Sequence, residues 1–574
     1  DIYDPLGEYV SVFRDRFKDV TQTTFAQLAK EAQVDVEANR ETCKQLYARQ
    51  KELSSAKSKK ELWASLGVVM IAIFIVGIIA IIALWNKQST TVIVAIALAM
   101  AWALVMLFFF VSPRLSKYKN ECTRLTPIVN ELQSKAWQQM EPLNRLYDWD
   151  VLTRMMSETV PRLKFDPYFT TQRLADLEKT YGWDGTFNQE RSVIYSHSGL
   201  INGNPFVICR TRKMEMGSKT YYGSKTIHWT TTERGSNGKS YTVRHTQVLT
   251  ATVTAPYPEY KEKTRLIYGN TAAPDLIFSR KQSGLASEVN SFSFKMKRRA
   301  LRRKARNLTN ADFAMLTNED FEVAFDTSNR NNNQQFALLF TPVAQESMMK
   351  LLKDAATGYG DDFDFYKNKM INTIVPNHLQ SIDLDMNPSQ YKHFDYDKAQ
   401  KDFYEVNADF FKMIYFSLAP LLCVPMYQQI RSHEDIYGRD MKRHSSFWEH
   451  EALANFWGED KFKHPQCVTH CILKTEQHRD TDADDATITV YAHGYRTERR
   501  LTFVDRWGGD GRLHKVPVYW DEYLPVTGKG NFYMEEDNAN KEDFKTQKQR
   551  LGHINDVLAK TKMDLYRRHI ASKV

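Results

Sequence analysis

Two uninterrupted apolar runs, Leu62 to Leu84 and Thr91 to Val111, stand side by side in an otherwise polar chain, separated only by Trp85 to Thr90. Neither run carries a charge, and at a rise of about 1.5 Å per residue each is long enough to cross a hydrocarbon layer of about 30 Å. The pattern predicts a transmembrane helical hairpin over residues 62–111. Two crossings return the chain to its starting side, so the rest of the 574 residues must work on one side of a bilayer.

The flanks indicate which side. Lys44, Arg49, Lys51, Lys57, Lys59 and Lys60 precede the first run, and Arg114, Lys117, Lys119 and Arg124 follow the second, whereas the connection holds only Lys87. Positive residues resist translocation, so both termini are expected in the cytosol beneath a cell (inner) membrane. The hydrophilic residues 1–61 before the first run, and the length of that run, argue against a cleaved signal peptide. Six scattered cysteines, Cys43, Cys122, Cys209, Cys423, Cys467 and Cys471, form no disulfide framework, as expected in a reducing compartment. In that compartment the sequon Asn307-Leu308-Thr309 has no use.

The remainder reads as an α+β protein in which a helical stalk carries two cytosolic β-rich domains separated by helices. Residues 1–61 suit a stalk helix, with Phe13, Phe17, Val20, Phe25 and Leu28 as an apolar stripe. Residues 112–165 suit a second one, which Pro127 bends or interrupts. A first β-rich domain is expected over 166–355. Within it, Thr226 to Thr232 and Tyr241 to Thr254 flank Gly235-Ser236-Asn237-Gly238, the signature of a hairpin. Both faces of that hairpin are largely polar, so it either projects into solvent or pairs with a neighbouring subunit. Residues 356–460 read as helical, 461–540 as a second β-rich domain, and 541–574 as an amphipathic helix bearing Leu551, Ile554, Leu558 and Leu565.

Asn318-Glu319-Asp320-Phe321-Glu322-Val323-Ala324-Phe325 reads as a strand, Phe336 to Phe340 as another, and Thr341-Pro342 as the start of a helix containing Met348 to Leu352. With the preceding helix, hairpin and helix, this unit resembles an uncharacterised family of bacterial two-pass membrane proteins, a domain-of-unknown-function family. The resemblance covers residues 1 to about 355. It implies topology and a cytosolic β-rich domain, and no catalytic residues.

Candidate sites are few. Lys295, Lys297, Arg298, Arg299, Arg302, Arg303, Lys304 and Arg306 lie in one stretch without a local acid, and Leu301 and Ala305 give it an apolar side. Anionic head groups, a protein partner or nucleic acid compete for such a face, nucleic acid being the least favoured, and a solvated helix explains it equally well. Ala95, Ala99 and Ala103 make a smooth strip for packing within the hairpin or between subunits. Cys467 and Cys471, near His464, His470 and His478, lack a second knuckle and suit burial better than zinc. Asp480 to Asp485 misses the Gly and Glu of a calcium loop, and Tyr359-Gly360-Asp361-Asp362 lacks the companion aspartates of a polymerase.

No metal or cofactor is expected, and no catalytic residue is assigned. Together these features suggest a homo-oligomeric scaffold or interaction protein, anchored in the membrane and assembling beneath it, its stalk helices pairing as a coiled coil. A membrane-associated enzyme, such as a hydrolase drawing on residues 433–478, and a nucleic-acid tether through 295–306 are the alternatives.

Overall fold

The computed structural model describes residues 2–84, 90–234, 238–289, 291–306, 313–385, 387–432, 435, 444–478 and 485–536, then 549, 551–552, 554, 556, 558, 564–566 and 569–573. The connection 85–89, the turn residues 235–237, the sequon, His433-Glu434 and the acidic residues 480–484 therefore lie outside the described residues. The fold is α+β, and it divides into two units. One comprises Gln22–Tyr147 and Pro388–Val406; the other comprises Asp1–Thr21, Asp148–Asn387 and Asn407–Val574.

The first unit is helical. Helix α1 (Arg14–Ala32) ends inside it at Gln33, whose φ of 55° breaks the helix, and Asp35 caps the restart by accepting from the Ala38 amide at 3.0 Å. Helix α2 (Val36–Leu84) then runs without interruption from polar stalk into apolar segment. Helix α3 (Thr90–Val105) passes through a wider π turn at Met106–Val111 into α4 (Ser112–Asn144), which continues through Pro127 and Pro142. The stalk parts of α2 and α4 pack together: Leu46, Leu53 and Ala56 bury against Cys122, Leu125 and Val129. Their apolar stripes thus find each other within one chain, without a second subunit.

The second stalk helix stops short of the expected residue 165. Helix α5 (Val151–Thr159) is separate, Pro161 bars its continuation, and Leu163–Phe165 forms strand β1. The second unit is built on two antiparallel sheets. Strands β2 (Arg191–Ile201), β3 (Asn204–Arg234), β4 (Ser240–Gly269), β5 (Ile277–Arg280), β6 (Phe363–Asn368) and β7 (Ile371–Pro376) give the first the order β1-β2-β3-β4-β7-β6-β5. Strands β8 (Ile472–His478), β9 (Asp485–Trp507), β10 (Leu513–Glu536), β11 (Asp564–Tyr566) and β12 (His569–Lys573) give the second the order β11-β12-β10-β9-β8.

Strands β3 and β4 outgrow their sheet. They stay paired from Phe206↔Tyr268 to Arg234↔Ser240, whereas β2 accompanies β3 only to Lys213 and β7 meets β4 only at Leu266–Gly269. From Met214 onward a two-stranded ribbon continues for on the order of 70 Å. Strands β9 and β10 do the same beyond β8, which stops at His493. The two ribbons stack: Ile227, Leu249 and Ala251 bury against Val516 and Val518, with Tyr221, Trp229, Val253 and Val504 around them. Gly223 permits the approach, since a Cβ there would sit 2.1 Å from the Pro517 carbonyl oxygen. Strands β3 and β4 thus pair as read, and one face of their ribbon is covered within the chain while the other stays exposed. The cover is the second β-rich stretch of the same chain.

Other sequence expectations are corrected. Residues 319–325 and 333–339 are helices, α7 (Glu319–Phe325) and α8 (Asn333–Leu339), not strands; α9 (Pro342–Lys353) starts at Thr341-Pro342 as read. The caps decide it. Asn318 accepts from the Phe321 amide at 3.1 Å, Asn332 from the Gln335 amide at 3.0 Å, and Phe321 stacks on Phe325 one turn later. The region 356–460 is not purely helical, because β6 and β7 complete the first sheet before α10 (Tyr396–Leu422) and α11 (Phe447–Trp457). The segment 541–574 is not one helix, since β11 and β12 cover the edge of β10 that would otherwise lie open. The two β-rich stretches, expected as separate domains, share one unit.

One buried charge gives the fold a pH signature. Lys367, 1% exposed in β6, donates only to neutral carbonyls, those of Ala272 at 3.0 Å and Lys369 at 2.6 Å, and burial pushes its ammonium down to about 7. Between that value and the ordinary lysine range the unfolded chain holds the extra proton, so stability rises with pH across this window. In mild detergent, the thermal midpoint is expected to climb from pH 6.5 to 9.5, and Lys367→Met to flatten that slope and raise the midpoint at pH 6.5. A slope unchanged in the variant would refute this assignment.

Candidate functional site

The cationic stretch forms α6 (Phe292–Arg306), as its spacing suggests, with Ser291 accepting from the Phe294 amide at 3.1 Å. Phe294 and Leu301 bury one side. That orientation splits the eight basic residues into two groups. Lys297 pairs with Asp326, Arg298 with Asp320, Arg302 with Glu319 at 2.8 Å, and Lys304 donates to the Ser328 carbonyl at 2.6 Å. The acids come from α7 and its ends, too distant in sequence to show as local compensation. Lys295, Arg299, Arg303 and Arg306 form the exposed stripe instead, and at its N-terminal end Phe292 and Met296 are 78% and 48% exposed.

In the helical unit, the segments Val36–Ala83 and Thr91–Asn144 each contain a window long and apolar enough to cross a membrane, and only 17% and 6% of those windows are buried. A core helix of a soluble protein would hide most of such a surface. Of the alanine strip, Ala103 is buried within the hairpin, while Ala95 and Ala99 are exposed in the single chain. Glycines also line the seam of the hairpin, where a Cβ on Gly77 would meet the Met100 side chain at 2.5 Å and one on Gly67 would meet Val111 at 3.4 Å.

The sequence gives no warning of a polar cleft of about 510 Å³ between α5 and β1. Asp150, Arg154 and Glu158 line it from the helix, and Arg162, Lys164 and Asp166 from the strand side. Asp166 is fully engaged: Arg173 reaches it through Nε at 3.0 Å and Nη2 at 3.1 Å, and Ser198 donates at 2.6 Å. That carboxylate holds Arg173 and Ser198 against the wall of the cleft. All of the lining residues lie within 150–167, but mixed charges at irregular spacing leave no motif, which is why the cleft could not be read in advance.

Of the acids and histidines of 433–478, Glu449, His450 and Glu451 lie buried on α11, where they hold it to neighbouring elements. Glu451 pairs with Lys474 at 2.7 Å and accepts from the Val193 amide and the Asn188 side chain, each at 3.0 Å. Glu449 accepts from the Phe169 amide at 2.8 Å, and His450 meets the Ser445 hydroxyl at 3.0 Å. Burial raises the Glu451 carboxyl even against the lysine beside it. Cys467 and Cys471 lie buried with sulfurs 3.6 Å apart, and His470 turns to Glu459 at 2.6 Å. Among the described residues, no three His, Cys, Asp or Glu side chains gather as a metal site. Asp361 pairs with Arg280 in the body of the fold.

Asp362, His378 and Ser417 do line up as an acid, imidazole and hydroxyl, with contacts of 2.6 and 3.1 Å. Ser417 is fully buried, however, and donates to the Met413 carbonyl at 2.8 Å, while Tyr359 stacks on His378 with centroids 3.9 Å apart. The arrangement ties α10 to the 362–378 segment and offers a substrate no approach to the hydroxyl.

Comparison with protein-family models, with curated proteins and with solved structures finds no match. The geometry above therefore carries the functional reading.

The exposed stripe of α6 yields a prediction. All six native cysteines are buried, so a Phe292→Cys variant can be labelled selectively with an environment-sensitive fluorophore. In proteoliposomes its emission is expected to shift to the blue as anionic lipid is added, to revert with salt, and to lose roughly tenfold in apparent affinity with Arg299→Glu and Arg303→Glu together. Emission indifferent to lipid charge would remove the lipid from this surface.

Proposed function

We propose that the chain is a membrane-anchored scaffold: α2 and α3 cross a cell membrane as a hairpin, both termini lie in the cytosol, and the sheet-bearing unit assembles beneath the bilayer. The observation that carries this reading is the apolar surface of two long helices that the chain itself leaves uncovered. Leaving large aliphatic and aromatic side chains in water costs roughly 1.5–3 kcal/mol each, and Val68, Val76, Ile79, Ile82, Leu98, Phe108 and Phe109 are all exposed. A hydrocarbon layer removes that cost. The basic flanks orient the hairpin. The exposed stripe of α6 adds anionic head groups as a contact.

The scaffold reading over an enzyme reading rests on how the acids and histidines are used, most of the described ones being engaged in holding elements together. Two measurements test it. Alkaline carbonate should leave the protein in the membrane pellet, and an impermeant thiol reagent on intact cells should label Ser89→Cys but not Ser240→Cys. Release by carbonate would defeat the anchor, and labelling at Ser240→Cys would invert the topology.

A further inference from the structure

Beyond the body of the sheets, the stacked ribbons make a two-layer arm whose outer faces differ in chemistry. The outer face of β3–β4 is rich in hydroxyls: Thr220 and Thr254 meet at 3.3 Å, Ser224 stands opposite Thr250, and Thr246 meets His228 at 2.9 Å. The outer face of β9–β10 is apolar. Leu501, Phe503 and Trp507 on β9 are 44%, 56% and 70% exposed, and Leu513 and Tyr519 on β10 are each 51% exposed. The intervening Val504, Val516 and Val518 point inward to the other ribbon. Around its middle this ribbon is therefore apolar on both faces, where the exterior of a solvated sandwich alternates to polar side chains.

The charges around this stripe are arranged so that a second copy satisfies them. Leu501 is paired with Tyr519 and Phe503 with Pro517; these two apolar rows are bounded at one end by Arg499 opposite Asp521, and at the other by Asp505 opposite Lys515. Consider a two-fold axis running across the strands midway between the two apolar rows. It lays Leu501 and Tyr519 over Phe503 and Pro517 of the other copy, Arg499 over Asp505, and Asp521 over Lys515. Both charged rows then meet their opposites, and apolar meets apolar.

We infer that this face of the β9–β10 ribbon is a homotypic interface, with two copies stacking face to face about that axis. The inference rests on the self-associating scaffold reading and supplies its surface. The four bounding charges sum to zero, which suits a second copy better than an anionic bilayer.

Mass photometry of the full-length protein in mild detergent, followed through dilution, tests it. Phe503→Glu, Arg499→Asp and Asp505→Arg are each expected to raise the dissociation midpoint at least tenfold, whereas Arg499→Asp combined with Asp505→Arg restores it to within about threefold. That rescue separates a lost contact from a lost fold, and Thr250→Glu on the hydroxyl-rich face should leave the midpoint unchanged. An oligomeric wild type whose midpoint ignores all the β9 substitutions overturns this interface but leaves self-association through another surface intact. Failure of the charge swap to rescue overturns the two-fold register. A wild type that stays a single chain at micromolar concentration overturns both the interface and the self-association on which it rests.

Discussion

The pairing of β3 with β4 is the constraint on which most of the sheet-bearing unit depends. The same two strands occupy the middle of the seven-stranded sheet and then form half of the arm, in one unbroken register. A two-stranded ribbon is marginal in water because it has no second layer on which to bury a face. Near the body β2 and β7 flank it, and further out β9–β10 covers it. Slipping β3 by one residue against β4 would put Ile227 on the opposite face from Leu249 and Ala251, so the ribbon could no longer bury all three against Val516 and Val518. The sheet and the arm therefore stand or fall together.

Charge does a different job in this molecule. Arg330 and Glu322, almost fully buried, join at 2.8 Å, and the guanidinium lies over the rings of Phe313 and Phe336. Glu451 and Lys474 pin α11, and Asp166 with Arg173 fixes the wall beside β1. Each such pair carries a desolvation cost that only good geometry and further hydrogen bonds offset, so these groups specify how elements meet more than they add net stability. It also explains why clusters of acid and histidine in the chain need not signal chemistry. Where the side chains are visible, most are already engaged with backbone or with one another.

How much of this was legible follows from the range of each signal. The apolar helices are readable because their pattern is local, long and free of charge. So is the β3–β4 turn, where Gly235 to Gly238 interrupts β-branched residues. The cover for that hairpin was not readable, because its partners Val516 and Val518 lie in another hairpin and carry no mark of whom they face. Phe321 to Phe325 alternates well enough for a strand, and only the cap at Asn318 and the turn-spaced phenylalanines favour the helix. Ile371 to Pro376 was hidden by its short length and its terminal proline, and Leu565 fell by chance on a helical spacing. At the cationic segment composition was right about a charged face, but the acids that pair with Lys297, Arg298 and Arg302 come from a separate helix and its end.

The discontinuity of the sheet-bearing unit has a consequence for synthesis. Its first piece supplies Tyr9, Phe13 and Phe17, which pack on Phe411 and Tyr415, with Phe17 stacked on Phe411 at 4.2 Å. The apolar hairpin and the whole first sheet are translated between these partners. At roughly 5–20 residues per second, the N-terminal aromatics wait tens of seconds before α10 emerges. Closing a loop of this length adds little to the equilibrium cost, since the entropy grows only with the logarithm of length, but it slows the search. For that interval Tyr9, Phe13 and Phe17 lack their native aromatic cover.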